Sequence, residues 1–306
     1  MRKVYGIGEA LMDIIFREEQ PTAAKAGGSV LNAFVTLGRL GIDVNFISEY
    51  GSDPVGELID KFLRENNVTT TYVSRYTDGK TTLALAFLDE HSNASYTFYK
   101  DYPEIRLTNL PGSFQEDDIL SFGSIYAISA PVREKLVSVL DRARDSRAII
   151  FYDPNFRSAH LDELDELKPV ILENLAYADI IRGSDEDFRN IFGATSSDEA
   201  YGAVEKYCSL LVYTANKDGV FIHSGNERYF FPVSPLDPVS TIGAGDNFNA
   251  GIIYSLVTQE IGRNALPDLD FEHWHCITGN AISLASHVCM NYDNYISREF
   301  AGGFRD

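Results

Sequence analysis

The amino-acid sequence predicts an α/β fold, in which a mostly parallel β-sheet is covered by helices and carries a smaller β-rich part. One observation is that short apolar runs alternate with helix-like runs through most of the 306 residues. Another is that residues 70–99 break this alternation with three short β-rich runs and no helix-like run. The composition agrees, since 44% hydrophobic and 23% charged residues are typical of a soluble chain that forms one large domain with an appendage.

The alternating elements follow one another along the chain. Strands are expected at 4–7, 44–48, 124–128, 148–152, 179–182 and 210–214. Helices are expected at 28–41, 54–65, 131–144, 161–175, 185–191 and 198–207. Gly41 is a typical helix stop, and Pro54 suits a first helical turn because its missing N–H would have no partner there. Strands that alternate with helices pair in parallel, so helices are expected on both faces of the sheet.

The β-rich runs lie at 71–75, 82–89 and 95–99. Turn residues separate them at Asp78-Gly79 and at 91–93. Short strands joined by tight turns pair antiparallel, so this region predicts a small antiparallel sheet that projects from the larger body.

Charge and cysteine content restrict the partners and the compartment. Lys and Arg total 26 against 45 Asp and Glu, and a net charge of −19 argues against binding to nucleic acid or to a membrane surface. A small phosphorylated ligand stays compatible, because local N–H groups and helix ends act at close range. The three cysteines form no disulfide framework, the N-terminus lacks a signal-peptide pattern, and no run has the ~18 apolar residues of a membrane helix, so a cytoplasmic protein is expected.

The segment Gly243-Ala244-Gly245-Asp246 is the strongest candidate for chemistry. It forms a glycine-bracketed turn just before an apolar, helix-like run. The N–H groups at a helix start have no partners within the helix and attract anions, and residues without a β-carbon let a bound group come close. Asp246 follows directly and is placed to act as a general base.

This segment, with Asn249-Ala250-Gly251 behind it, resembles the C-terminal signature of the ribokinase-like (PfkB-type) sugar kinases. The run 27–33, together with the run 37–41 that follows it, resembles the N-terminal signature of the same family. The two signatures stand in the order that the family has. The resemblance implies a ribokinase-like three-layer sandwich with a small β-rich lid. It also implies one kinase domain over residues 1–306, with the lid at about 14–20 and 70–103 and a homodimer formed through that lid.

The resemblance also implies roles for individual residues. Asp246 would be the catalytic base, and the turn residues Gly243, Ala244 and Gly245 would hold the charge that develops on the terminal phosphate of ATP. The residues expected to bind the sugar are Asp13, Gly27, Gly28 and Asn32. A further motif, Asp153-Pro154-Asn155-Phe156-Arg157, is similar to one in the fructokinase branch and adds Asn155 and Arg157 to the sugar site.

The nucleotide side departs from the family pattern. Ser184 and Asp187 stand where the family has Asn-x-x-Glu, so Ser184 is expected near the nucleotide and Asp187 near Mg²⁺, through water. The loop from Thr214 to Gly219 carries Asn216 in place of a glycine, which suits a left-handed turn. On a late helix, Asn280 is similar to the adenine-facing position of the family. The run 240–242 lacks the family's aspartate, which argues against a monovalent-cation site.

These features predict an ATP-dependent, Mg²⁺-dependent kinase that phosphorylates a sugar hydroxymethyl group. Fructose is the first candidate, 2-keto-3-deoxygluconate the second and a nucleoside the third. The lid segment 98–103 lacks the arginine expected of a keto-acid kinase, which lowers the second candidate. A kinase-like sugar sensor without turnover is the alternative from another class, since the 184–187 run is altered.

Overall fold

The computed structural model describes residues 2–17, 19–88 and 94–305. Its large sheet has nine strands in the order β13-β12-β11-β10-β9-β8-β1-β4-β5. The seven strands from β11 to β5 run parallel, and β12 and β13 extend the β11 edge antiparallel. The strands are β1 Val4–Ile7, β4 Val44–Gly51, β5 Val68–Tyr76, β8 Ile119–Gly123, β9 Ile149–Asp153, β10 Ile180–Ser184, β11 Leu210–Thr214, β12 Val220–Ser224 and β13 Glu227–Phe231.

Helices cover this sheet, as the alternating pattern predicted. The α-helices are α1 Ser29–Arg39, α2 Pro54–Glu65, α3 Arg133–Asp145, α4 Leu164–Tyr177, α5 Asp185–Phe192, α6 Ser197–Val204, α7 Ala244–Thr258, α8 Phe271–Cys289 and α9 Arg298–Arg305. Helix α7 packs between α1 and α8, whereas α3 and α4 pack against β9. Among the described residues, no helix is both long and apolar enough to cross a membrane.

The small sheet has the order β3-β2-β6-β7. Its strands are β2 Leu11–Arg17, β3 Gln20–Gly27, β6 Lys80–Leu88 and β7 Ala94–Asp101. The outer pairs β2/β3 and β6/β7 are antiparallel, but the central pair β2/β6 is parallel. The sequence therefore predicted an antiparallel sheet that is in fact mixed, because its central pair joins two separate hairpins.

Two sequence-based assignments differ from the structure. The run 70–76, assigned to the lid, lies in β5 of the large sheet and pairs in parallel with β4; its residues Val73 and Tyr76 are buried there. The run 124–128 was expected to be a strand, but Ile125–Ile128 is a short 3-10 helix and the strand is β8 Ile119–Gly123. The run 124–128 is apolar and the run 70–76 is rich in β-branched and aromatic residues, but neither composition reveals the partner or the boundary of a strand. The predicted turn at 91–93 lies outside the described residues.

Candidate functional site

The candidate site lies where three neighbouring parallel strands end. Asp153 is the last residue of β9, Ser184 of β10 and Thr214 of β11. Ligands of open α/β sheets collect at this edge, because the carboxyl ends of parallel strands and the loops after them face the same crevice. The N-terminus of α7 joins the same group of residues, since Asn249 of α7 donates a hydrogen bond to Asp153.

The glycine turn does precede a helix. Gly243 has φ 81°, in the left-handed region that favours glycine, and α7 begins at Ala244. The glycines, however, make room for protein neighbours. A β-carbon on Gly243 would lie 2.6 Å from the carbonyl oxygen of Asn294, and one on Gly245 would lie 3.0 Å from Nη1 of Arg182. The sequence-based reason for these glycines, close approach of a ligand, is therefore incomplete.

Asp246 lies in the first turn of α7 and is buried. The side-chain amide of Asn32, on α1, donates a 2.8 Å hydrogen bond to Oδ2 of Asp246. Burial raises the pKa of Asp246 to about 6, and nearby Asp153 adds to the rise, while Asn32, Arg157 and Arg182 oppose it. A carboxylate with a raised pKa that stays ionised near neutral pH is suited to general-base chemistry.

The other end of the Asn32 amide is its Oδ1 atom. This atom is buried and accepts no hydrogen bond from the described residues. A buried polar atom of this kind is costly to leave unpaired, so a donor is expected to fill the place. A sugar hydroxyl has the required chemistry.

Asp13 is placed by β2 of the small sheet, opposite Lys25 of β3. Burial raises the pKa of Asp13 to about 6, Glu9 adds repulsion, and Lys25 lowers the value. The two glycines of the N-terminal signature lie close by. A β-carbon on Gly27 would lie 2.1 Å from the Asp13 carboxylate, and one on Gly28 would lie 2.1 Å from the carbonyl oxygen of Glu9.

A cavity of about 560 Å³ opens beside Asp13. It lies between the small sheet, the segment 238–242 just before the glycine turn, and the loop at 292–294. Lys25 ties the sheet to that loop, because its ammonium donates to the Asp293 carboxylate at 2.7 Å and to the Tyr292 carbonyl at 2.8 Å. The small sheet thus forms one wall of the cavity.

Arg182 is a site residue that sequence reasoning missed. It lies within β10 and is only 7% exposed. Its Nη1 contacts Oδ2 of Asp153 at 3.0 Å, and its Nη2 donates to the Thr214 hydroxyl at 2.8 Å. The available signal was an arginine inside the apolar run 180–183, because charges are rarely buried unless they are paired.

The two substrate candidates after β9 differ in exposure. Asn155 is half-buried with φ 41°, and its N–H donates to the Asp153 carboxylate at 3.0 Å. Arg157 is exposed, yet its charge is close enough to lower the pKa of Asp246. Asn155 thus belongs to the turn around Asp153, and Arg157 faces the open side of the crevice.

Ser184 and Asp187 form a capping box at the start of α5. Oδ2 of Asp187 accepts from the Ser184 N–H and hydroxyl, and Oδ1 accepts from the Phe156 N–H at 2.6 Å. Burial and nearby Asp153 raise the pKa of Asp187. Both carboxylate oxygens are therefore already engaged, which leaves Asp187 suited to hold a hydrated ion through water and unsuited to replace several of its waters.

The remaining nucleotide candidates lie beyond β11 and on α8. Asn216 adopts φ 49°, the left-handed conformation that the sequence predicted, and Gly219 closes the same loop with φ 103°. Asn280, on α8, donates its side-chain amide to the Ser255 hydroxyl of α7 at 3.0 Å. Its described contact is thus between the two helices.

Comparison with known proteins agrees with this fold. The profile of the pfkB family of carbohydrate kinases matches residues 1–267. The chain belongs to this family. This kinase is 32% identical over 258 residues to a fructokinase of Rhizobium leguminosarum bv. trifolii, covering 81% of this chain and 78% of that protein.

Two further similarities concern a second activity and the fold. The kinase is 26% identical over 271 residues to an aminoimidazole riboside kinase of Salmonella typhimurium, covering 87% of this chain and 84% of that protein. A fructokinase double mutant of Vibrio cholerae O395, solved with fructose, ADP and a potassium ion, has the same fold, with a TM-score of 0.87 at 22% identity and coverage of 100% and 99%. The ribokinase-like fold that the sequence predicted is confirmed.

Proposed function

We propose that this kinase transfers the γ-phosphoryl group of ATP to the hydroxymethyl group of fructose. The observation that carries the proposal is the buried hydrogen bond from Asn32 to Asp246 at the start of α7. The Oδ1 atom of Asn32 accepts no hydrogen bond from the described residues and can receive a sugar hydroxyl. The similarity to fructokinases supports fructose as the acceptor. The similarity to an aminoimidazole riboside kinase favours a nucleoside as the second candidate.

In the proposed reaction, separate residues bind the sugar, remove the proton and stabilise the phosphoryl charge. Asn32 accepts a hydrogen bond from the sugar through its free Oδ1, and Asp13 accepts from a second hydroxyl at the small-sheet side. Asp246 removes the proton of the attacking hydroxyl, whose oxygen then forms the new bond to the terminal phosphorus. The N–H groups of Gly245 and Asp246 at the start of α7 stabilise the charge on the transferring phosphoryl group, whereas the Ala244 N–H donates to the Thr241 carbonyl at 3.3 Å.

The nucleotide and its metal fit the strand ends after β10 and β11. Thr214, Asn216 and Gly219 form the loop that would hold ATP, with Ser184 beside it in register with Thr214. Mg²⁺ would be held through water at the first turn of α5 by Asp187, and when bound it neutralises phosphate charge. The Asn280 assignment at the adenine stays a prediction, and a monovalent-cation site stays disfavoured by the run 240–242.

We infer that residues 1–306 form one kinase domain whose small sheet closes over the sugar. Closure would exclude water, which competes as a phosphoryl acceptor. The aromatic side chains of Phe87 and Tyr99 are exposed on the face of this sheet that lies opposite the cavity. A second copy of the chain would bury them, and this supports a homodimer through the lid.

The experiment is an ADP-release assay with Mg·ATP across fructose, other ketohexoses, aldopentoses, 2-keto-3-deoxygluconate and nucleosides. Fructose is expected to give the highest kcat/KM. Asp246→Asn is expected to lower kcat by about 10²–10⁴ while sugar binding persists. The matched control is Asp237→Asn, an exposed aspartate nine residues earlier, which should keep full activity.

Three results would contradict the proposal. Near-normal turnover by Asp246→Asn would exclude Asp246 as the base. Sugar binding by the wild-type protein without any ADP release would favour a sensor, and a nucleoside with the highest kcat/KM would replace fructose as the substrate.

A further inference from the structure

Arg182 is a buried cation with an unusual set of neighbours. Its guanidinium contacts carboxylate and hydroxyl groups from the strands on either side, Asp153 of β9 and Thr214 of β11. Its Nε atom is buried and has no hydrogen-bond partner among the described residues. Burying a charge is costly, so an arginine in this position needs a compensating role or a compensating pair.

The guanidinium also packs against the glycine turn. A β-carbon on Gly245 would lie 3.0 Å from Nη1 and 3.4 Å from Nη2 of Arg182. The ring of Phe248, one turn further along α7, lies 5.5 Å from the guanidinium carbon. Arg182 thus packs against the first turn of α7, which is the turn that carries Asp246.

Asp153 is held close to that same turn. Asn249 donates to Oδ2 of Asp153 at 2.6 Å, on the oxygen that also contacts Arg182. Asn249 follows Asp246 by three residues on α7, and residues at this spacing share one face of a helix. The carboxylates of Asp153 and Asp246 therefore face the same small region, where two like charges repel each other.

We propose that Arg182 is a positioning residue of the transfer centre: its pairing with Asp153 cancels the repulsion that this carboxylate would exert on the ionised Asp246. The inference rests on the proposed role of Asp246 as the base. Four charged or polar groups face Asp246 from the surrounding elements: Asn32 of α1, Asp153 of β9, Arg157 of the loop after β9, and Arg182 of β10. Within this set, Arg182 is the cation that contacts Asp153 directly.

The test is the pH dependence of kcat in Arg182→Gln, measured from about pH 5 to pH 9 with the sugar that gives turnover. Loss of the guanidinium leaves Asp153 uncompensated, so ionising Asp246 becomes harder. The acid limb of the profile should move up by at least about one pH unit, which is a tenfold or greater loss of kcat below the limb and a smaller loss above it. The double variant Asp153→Asn with Arg182→Gln should move the limb back toward the wild-type position.

The matched control is Arg263→Gln. Arg263 also pairs with an aspartate, Asp179, at 2.7 Å, but that pair lies at the amino end of β10, the opposite edge of the sheet. This variant should leave the acid limb where it is. Arg182→Lys retains the charge and should shift the limb less than Arg182→Gln, which keeps the test usable if the glutamine variant folds poorly.

Two outcomes would overturn the inference. One is an equal loss of kcat at every pH in Arg182→Gln, since a purely structural role moves no limb. The other is a double variant that is no better than Arg182→Gln. If the wild-type protein phosphorylates no sugar, the proposed function fails, and the Asp246 titration followed by carbon-13 NMR in the wild type and in Arg182→Gln still tests the charge pairing.

Discussion

Replacing Asn32 by alanine is expected to move the acid limb of the activity profile upward. The side-chain amide of Asn32 donates a 2.8 Å hydrogen bond to the Asp246 carboxylate, and both residues are buried. The bond favours the ionised form of the carboxylate, so its loss makes Asp246 harder to ionise. The direction of the change is therefore set by geometry.

The size of the shift follows from the same contact. A hydrogen bond to a charged group contributes about 1.5–3 kcal/mol, and one pKa unit corresponds to about 1.36 kcal/mol. The pKa of Asp246, about 6 in the intact protein, should therefore rise by about one to two units. At pH 7 about half to nine-tenths of the Asp246 population would then be protonated, and kcat would fall by about twofold to tenfold.

The assay is ADP release at saturating sugar, with kcat measured at closely spaced pH values. Saturation matters because Asn32 is also proposed to bind the sugar, so KM rises at every pH while only kcat reports the base. Asn66→Ala is the matched control, since Asn66 is a buried amide that caps α2 beside the amino end of β5. A limb at the wild-type pH in Asn32→Ala would refute the reasoning, even if KM increased.

Three further predictions concern stability and the cavity. Asp246→Asn should raise the free energy of unfolding at pH 7.5 by up to about 3 kcal/mol, because burial raises the pKa from 3.8 to about 6; the gain should fade toward pH 4 in urea titrations. Gly251→Ala should lower the free energy of unfolding by about 1–3 kcal/mol, because its β-carbon would lie 2.3 Å from the Cα of Ala281. Gly202→Ala has open space around it and should raise the free energy of unfolding by about 0.5–1 kcal/mol. Equal changes in the two variants would contradict this prediction. Lys25→Ala should raise KM for the sugar several-fold, because it releases the small sheet from the 292–294 loop, and an unchanged KM would argue against this tie.

Local patterns explain which elements the sequence predicted well. Strands β1 and β11 and helix α2 begin and end at the expected residues, because each combines a clear periodicity with a local start or stop signal such as Pro54. The run 124–128 lacked such a signal: it is as apolar as β8, and the turn at Ser124, with φ 55°, is what ends the strand before it. Apolar content alone did not distinguish strand from 3-10 helix there.

In the candidate site, too, the sequence identified some residues and missed another. The sequence identified Asp246, Asn32 and Asp13 through motifs, but it gave no reason to connect Arg182 with Gly245. The two residues are 63 positions apart in the printed sequence, and only the folded chain brings the guanidinium to the glycine. The capping role of Asp187, by contrast, depends on residues three positions apart, because a capping box is a local sequence pattern.

By itself, the sequence determined the α/β class, the family resemblance and the residue types of the site, because periodicity and short motifs are properties of neighbouring residues. Only the tertiary structure decided which sheet holds β5, which side chains meet Asp246, and which side chain packs against Gly245. The hydrogen bond between Asn32 and Asp246 joins residues 214 positions apart. Contacts of that range, and the burial that raises the pKa of Asp246, exist only after the sheet and its helices have packed.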